Sequence, residues 1–136
     1  MSHRNEDIAN RLFKANEQND ISVVDALYSD KIGIWHSFDD IVRNKAEGLE
    51  MFKQIALIGT RRYRIIERLF SDDRVVQRHD LVITSRDGSA RYCSRIAMFL
   101  TIADDKIIAV DEYIDSDDAK KMMSAMETVG VVSVCR

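Results

Sequence analysis

The chain is poor in the residues that staple small folds or mark ready-made sites. It has two cysteines, Cys93 and Cys135, far apart in sequence. Two cysteines make neither a disulfide framework nor a zinc ligand set. There is no glycine-rich phosphate loop and no clustered His/Cys set, so no nucleotide, metal or other cofactor is expected. A basic excess is also missing. Twenty Lys and Arg face 23 Asp and Glu, for a net charge of -3, which argues against a nucleic-acid partner. The densest basic stretch, Arg61-Arg62-Tyr63-Arg64, is soon followed by Glu67 and reads as a local patch. Unbroken apolar runs last only a few residues, as at Ile107 to Val110, so no membrane span is expected. Met1 to Asp7 contain no apolar core of a secretory signal, and a cytoplasmic location is expected. Proline is absent, and no linker, internal repeat or low-complexity tract appears. One domain over residues 1–136 is expected.

What is present is an ordinary globular composition, 46% hydrophobic and 32% charged. It is enough to bury a core without metal or disulfide. Ile8, Leu12, Phe13 and Ala15 recur at helical spacing and predict a helix from about Glu6 to Asn19. Asp20 is placed to cap a second, shorter helix with Val23, Val24 and Leu27 inward. Ser29-Asp30 is expected to end it. Lys31 to His36 reads as a short strand and Ser37 to Arg43 as a polar loop. Asn44 with Glu47 three residues on is a capping-box pattern. It opens a third helix to about Ile58, with Leu49, Phe52, Ile55 and Ala56 on one side and Gly59 as the stop.

Beyond Gly59 the apolar period changes from 3.6 to 2. Strands are predicted over Arg61–Phe70, Arg74–Ser85, Ala90–Ile102 and Lys106–Ile114. Ser71-Asp72-Asp73, Arg86-Asp87-Gly88 and Ala103-Asp104-Asp105 punctuate them as turns. Asp115 or Ser116 starts a final short helix carrying Ala119, Met122, Met123 and Met126, with Asp117 and Asp118 in its first turn, where the helix dipole favours them. Thr128 to Arg136 is a short, fairly apolar tail. Helices first and hairpin-linked strands after predict an α+β fold, a curved antiparallel sheet packed against three N-terminal helices. The helices cover one sheet face. The other needs a cover too, which predicts a homodimer.

That element order resembles the SnoaL-like branch of the nuclear transport factor 2-like superfamily. "DALYSDKIGIWHS" (Asp25 to Ser37) looks like the family's entry into its first strand. "RNKAEGLEMF" (Arg43 to Phe52) looks like its helix start, with Asn44 where Gly is usual. "DDKIIAVDEYIDSDD" (Asp104 to Asp118) looks like its closing strand. The resemblance covers nearly the whole chain. It implies a cone-like sheet around one small-molecule pocket, lined here by Ile34, Val110, Ile114, Trp35 and Phe13. The fold alone does not fix the chemistry, since isomerases, hydrolases, cyclases and non-catalytic binders share it.

Strand alternation selects the candidates for chemistry. In the last strand Ile108, Val110, Glu112 and Ile114 share one face, and the resemblance assigns Glu112 to the pocket. In the second long strand Val76, Arg78, Asp80 and Val82 share a face. Val75, Gln77, His79, Leu81 and Ile83 form the other, more apolar one. Arg78-x-Asp80 resembles the Arg-x-Asp of limonene-epoxide-hydrolase-like members, whose third member, a carboxylate on the closing strand, would be Glu112. His36 falls where those enzymes hold a water. In such a set Arg78 keeps one carboxylate ionised, the other carboxyl has a raised pKa and acts as an acid, and water on Asp80 and His36 is the nucleophile. Ile34 stands where that group has a water-binding tyrosine, and Glu112 is a methylene longer than the usual aspartate.

Plainer readings stand beside these. Arg78 and Asp80 also read as a cross-strand ion pair on a solvated face. His36 reads as a hydrogen-bonded strand-end residue, and Trp35 as a core or interface anchor. Two functions therefore remain open. One is a cofactor-independent hydrolase or isomerase acting by carboxylate acid–base chemistry on a small apolar molecule. The other is a non-catalytic ligand-binding or dimerisation module.

Overall fold

The computed structural model describes residues 2–128. Four helices and six strands follow in the order α1 (Ser2–Glu17), α2 (Ile21–Leu27), β1 (Tyr28–His36), β2 (Ile41–Arg43), α3 (Lys45–Ile58), β3 (Gly59–Phe70), β4 (Arg74–Ser85), β5 (Arg91–Ala103), β6 (Lys106–Ile114) and α4 (Ser116–Thr128). The predicted tail beyond Thr128, and the side chain of Met126, lie outside the described residues.

Local chemistry accounts for most boundaries. The α1 stripe Ile8, Leu12, Phe13 and Ala15 is buried, together with Ala9. Asn19 takes a positive φ of 54° and breaks the helix. The Asp20 side chain then accepts from the Val23 amide and caps α2. Asn44 and Glu47 form the complete capping box of α3. Gly59 follows in extended backbone. A Cβ there would sit 1.8 Å from the Thr84 carbonyl oxygen, so only glycine lets β3 start this close to β4. Asp104 and Asp105, at φ 52° and 62°, make the tight β5–β6 turn.

Two local expectations need correction. β1 begins at Tyr28, with no break at Ser29-Asp30, because Tyr28 already pairs with Ile107 of β6. The stretch read as a polar loop contains a strand. Ile41–Arg43 folds back on β1 with Trp35 opposite Val42, after a turn in which Asp40 takes φ 57°.

The strands form one sheet in the order β2-β1-β6-β5-β4-β3. Neighbours are antiparallel except β1 and β6, which run parallel. The helices cover its inner face, with α1 on β3 and β4 and α3 on β1. The curved, unclosed sheet and its helices form the α+β cone that the element order predicts.

Register decides what points inward. On β4 the buried side chains are Val75, Gln77, His79, Leu81 and Ile83. On β5 Ser94, Ile96, Met98, Leu100 and Ile102 join them. Arg61 lies opposite Ile83 and Tyr63 opposite Leu81, so the basic run Arg61-Arg62-Tyr63-Arg64 is split. Arg61 and Tyr63 point in, while Arg62 and Arg64 point out. A bulge in β3 makes Ile66 an extra residue between pairs with β4. A second irregularity lies where β6 meets β5 and β1. It turns Ile108 outward while Ile107 and Val110 are both buried, against the expected Ile108–Val110 pairing on one face.

The outer face carries an aromatic cluster. Trp35 and Tyr113 pack edge to face at 4.9 Å, and Phe99 meets Tyr113 at 6.0 Å. Tyr113, Leu69, Ile66 and Val42 are each more than half exposed.

Candidate functional site

The inner face bounds a cavity of about 90 Å³. Leu12, Ile34, Met51, Phe52, Leu81 and Val110 supply apolar wall, and Asn16, Tyr28, His36, Arg61, Tyr63 and Glu112 supply polar groups. That is space for about three waters, far below the several hundred Å³ of a drug-sized site. Gly48 helps to keep α3 close. A Cβ on it would meet the Ile34 Cδ1 at 2.3 Å.

Parallel pairing of β1 and β6 sets His36 beside Glu112. The His36 Nε2 lies 3.0 Å from the Glu112 Oε1, and the two side chains are only 8% and 13% exposed. Behind the ring, the Arg43 Nη1 faces the His36 Nδ1 at 3.5 Å. A guanidinium only donates, so Nδ1 is left to accept and the proton of neutral His36 belongs on Nε2, where Glu112 takes it. Arg43 is itself held by both carboxylate oxygens of Asp39. Burial alone would raise the Asp39 pKa, but hydrogen bonds from Arg43 and the Ile41 amide outweigh it and hold it low. Glu112 follows the same logic. Burial pushes its pKa up, the hydrogen bond from His36 and the positive charge of Arg61 push it down, and the net direction is below the ordinary value. Glu112 is therefore a carboxylate at neutral pH.

Arg61 reaches into the same cavity from β3. Its guanidinium stacks over the Phe52 ring at 4.2 Å, and its Nη2 donates to the Asn19 Oδ1 at 3.1 Å. The phenols of Tyr28 and Tyr63 are raised far above their usual pKa, first by burial, so both remain neutral hydroxyls.

A second polar cluster lies under α1. The Arg68 Nε donates to the Gln77 Oε1 at 2.6 Å, and the Gln77 amide meets the His79 Nδ1 at 2.9 Å. Because Arg68 fixes the Gln77 oxygen, the Gln77 nitrogen donates to Nδ1, and His79 is neutral with its proton on Nε2. Burial lowers the His79 pKa. Phe13 and Tyr63 pack edge-on against this ring.

The expected set is thus only partly assembled. Glu112 and His36 meet, and Ile34 and Val110 line the cavity. Arg78 and Asp80 do not reach it. They sit on the outer face, where the Asp80 carboxylate pairs with Arg64 and Arg78 pairs with Glu67 at 2.9 Å. The cause is parity. Gln77 and His79 occupy the inward positions of β4, so their alternating neighbours face out. Neither carboxyl has the raised pKa expected of an acid. The Asp80 value is lowered, chiefly by its hydrogen bond from Arg64. Trp35 also faces outward, and its indole N–H donates to the Asp40 Oδ1 at 2.6 Å. Phe13 is core under α1, and Ile114 packs at the core margin. The residues missed were Arg61, Tyr63, Tyr28 and Arg43. Among the described residues no three His, Cys, Asp or Glu side chains gather as a metal-binding set, and no helix is long and apolar enough to cross a membrane.

The model of the SnoaL-like domain family matches residues 9–110. The chain belongs to the SnoaL-like family. No curated protein matches it. Among solved structures, it is similar to PrhC from Penicillium brasilianum, with TM-score 0.80 at 17% identity over 93% of this chain and 90% of that one. It is similar to an LEH-like epoxide hydrolase from M. tuberculosis, with TM-score 0.76 at 13% identity over 93% and 94%. It is also similar to a SnoaL-like protein from Shewanella putrefaciens, with TM-score 0.75 at 10% identity over 91% and 98%. At these identities the likeness is one of fold, and this SnoaL-like chain's chemistry rests on its own pocket.

Proposed function

We propose that this SnoaL-like protein binds a small molecule in the inner cavity and moves a proton on it, with Glu112 as the base and His36 orienting that base. The observation that carries this reading is the 3.0 Å His36–Glu112 pair on the cavity wall. An ionised carboxylate held by one N–H in an apolar pocket is placed and charged to accept a proton. Isomerisation by proton transfer fits better than hydrolysis with two acidic residues, because among the described residues Glu112 is the only carboxylate lining the cavity. The cavity volume favours a compact molecule over a fused-ring one. A non-catalytic ligand-binding module is the second reading, favoured by the small cavity, and in it the same residues hold a ligand without turnover. A second copy covering the exposed Ile66, Leu69 and Tyr113 of the outer face accompanies either reading, and light scattering on the eluting protein would show a single monomeric mass if that is wrong. The function is tested by following deuterium exchange into small carbonyl compounds, and opening of small epoxides, with the wild type and Glu112→Gln. The proposal expects turnover of at least one compound by the wild type and its loss in the variant. Equal turnover by both proteins removes Glu112 as the base, and no turnover by the wild type leaves the binding module.

A further inference from the structure

The cavity contains a buried cation that no carboxylate contacts directly; Glu112, the carboxylate on the same wall, acts on it only through space. Arg61 is 6% exposed and always charged. Its Nε is buried and has no hydrogen-bond acceptor. Its Nη2 donates to the neutral amide oxygen of Asn19, and among the described residues no carboxylate lies within ion-pair distance of it. The same protein shows the usual solution on β2. Arg43, also buried, is gripped by both oxygens of Asp39. A buried guanidinium without a carboxylate is costly unless something supplies the negative charge. Glu112 lies in the same cavity but is engaged by His36.

We infer that the ligand of this pocket is a short-chain carboxylate whose anionic end is bound by the Arg61 guanidinium. A carboxylate matches the planar donor fork of arginine and gives charge-assisted hydrogen bonds. Its chain then lies among Leu12, Ile34, Met51 and Val110, with the far end toward Glu112 and His36. The volume sets the size. About 90 Å³ is about three waters of space, which admits roughly two to four carbons in all. This inference rests on the preceding section for the location of the site, and it makes no use of turnover.

The test is a titration of the wild type, followed by protein NMR shifts at neutral pH, with propionate and butyrate against propionamide and butyramide. Acid and amide share shape and differ in charge. The expected result is binding of the acids on the order of tenfold or more tighter than the amides, with shifts confined to the cavity. Arg61→Gln should erase that preference, and Arg61→Lys, which keeps the charge, should retain part of it. Equal binding of acid and amide by the wild type, an undiminished preference in Arg61→Gln, or no binding of either up to about 100 mM would each overturn the inference. The wild-type comparison stands even if Arg61→Gln fails to fold. Glu112→Gln separates the two proposals. It should still prefer the acids, so a loss of turnover with binding retained speaks to the base and leaves the anchor in place.

Discussion

Asp80 and Glu112 are both carboxylates on central strands, both with side chains about a tenth exposed, at 10% and 13%. They lie on opposite faces of one sheet and do different things. Asp80 faces outward and is covered by the flexible Arg64 side chain, itself 71% exposed. Its ion pair is of the surface kind, screened by water and salt. Glu112 faces the inner cavity, shares it with a guanidinium that has no direct ion pair, and is bonded to a histidine whose tautomer is fixed from behind. Burial of a side chain is therefore a poor guide to function by itself. The partner, and the face of the sheet on which each lies, separate the two carboxylates.

The sharpest way to break this contrast is to neutralise each carboxylate in turn. Glu112→Gln should lower turnover on the order of 10²- to 10⁴-fold, the usual worth of a positioned base. Asp80→Asn should leave turnover within about twofold, an effect of surface ion-pair size. Steady-state rates on one substrate decide it, and a larger loss in Asp80→Asn would put the chemistry on the wrong face. Next in size is packing. Leu100, 1% exposed inside the cone, and Leu69, 60% exposed outside it, should separate clearly on truncation. Leu100→Ala should cost about 2–5 kcal/mol in urea unfolding at any protein concentration, and Leu69→Ala less than about 0.5 kcal/mol where the protein is dilute enough to be monomeric. The cost at Leu69 should grow with protein concentration as the proposed second copy covers the outer face.

Acid provides a third contrast. The folded pKa of His79 is lowered by burial, so the unfolded chain binds its proton first. Stability is then full above the unfolded value of about 6.5 and falls as pH drops below it. Glu112, also lowered, adds a further loss only below about 4.5. The urea midpoint should therefore fall between neutral pH and pH of about 5, and the fall should shrink in His79→Phe. A midpoint that rises on acidification would contradict a neutral His79. The smallest effect is expected at Arg78–Glu67, whose side chains are 60% and 54% exposed. Arg78→Ala should change stability by less than about 1 kcal/mol.

The fold was largely legible because each of its signals is local. The capping box at Asn44, the breaks at Asn19 and Gly59, and the change of period after Gly59 all act within a few residues. The site was legible only in part, because parity is global. A strand shows two faces, and choosing the inner one depends on what packs against it. The apolar weight of Val75, Leu81 and Ile83 already marked the inner face of β4, but the polar residues Gln77 and His79 between them obscured it. Once Ile83 and Leu81 point inward, their partners Arg61 and Tyr63 follow. That step needs the β3–β4 register, which a run read as a local basic patch does not reveal. β2 was hidden for a related reason. Three residues, Ile41–Arg43, are too few to show alternation, and their pairing with β1 is what makes them a strand.

A crystal of the wild-type protein soaked with propionate tests the central claim most directly. The account predicts the carboxylate within hydrogen-bond distance of the Arg61 guanidinium, and the carbon chain beside Glu112 and His36 on the inner face. Propionate seated instead on the outer face near Arg64 and Arg78, with the inner cavity filled only by water, would contradict it.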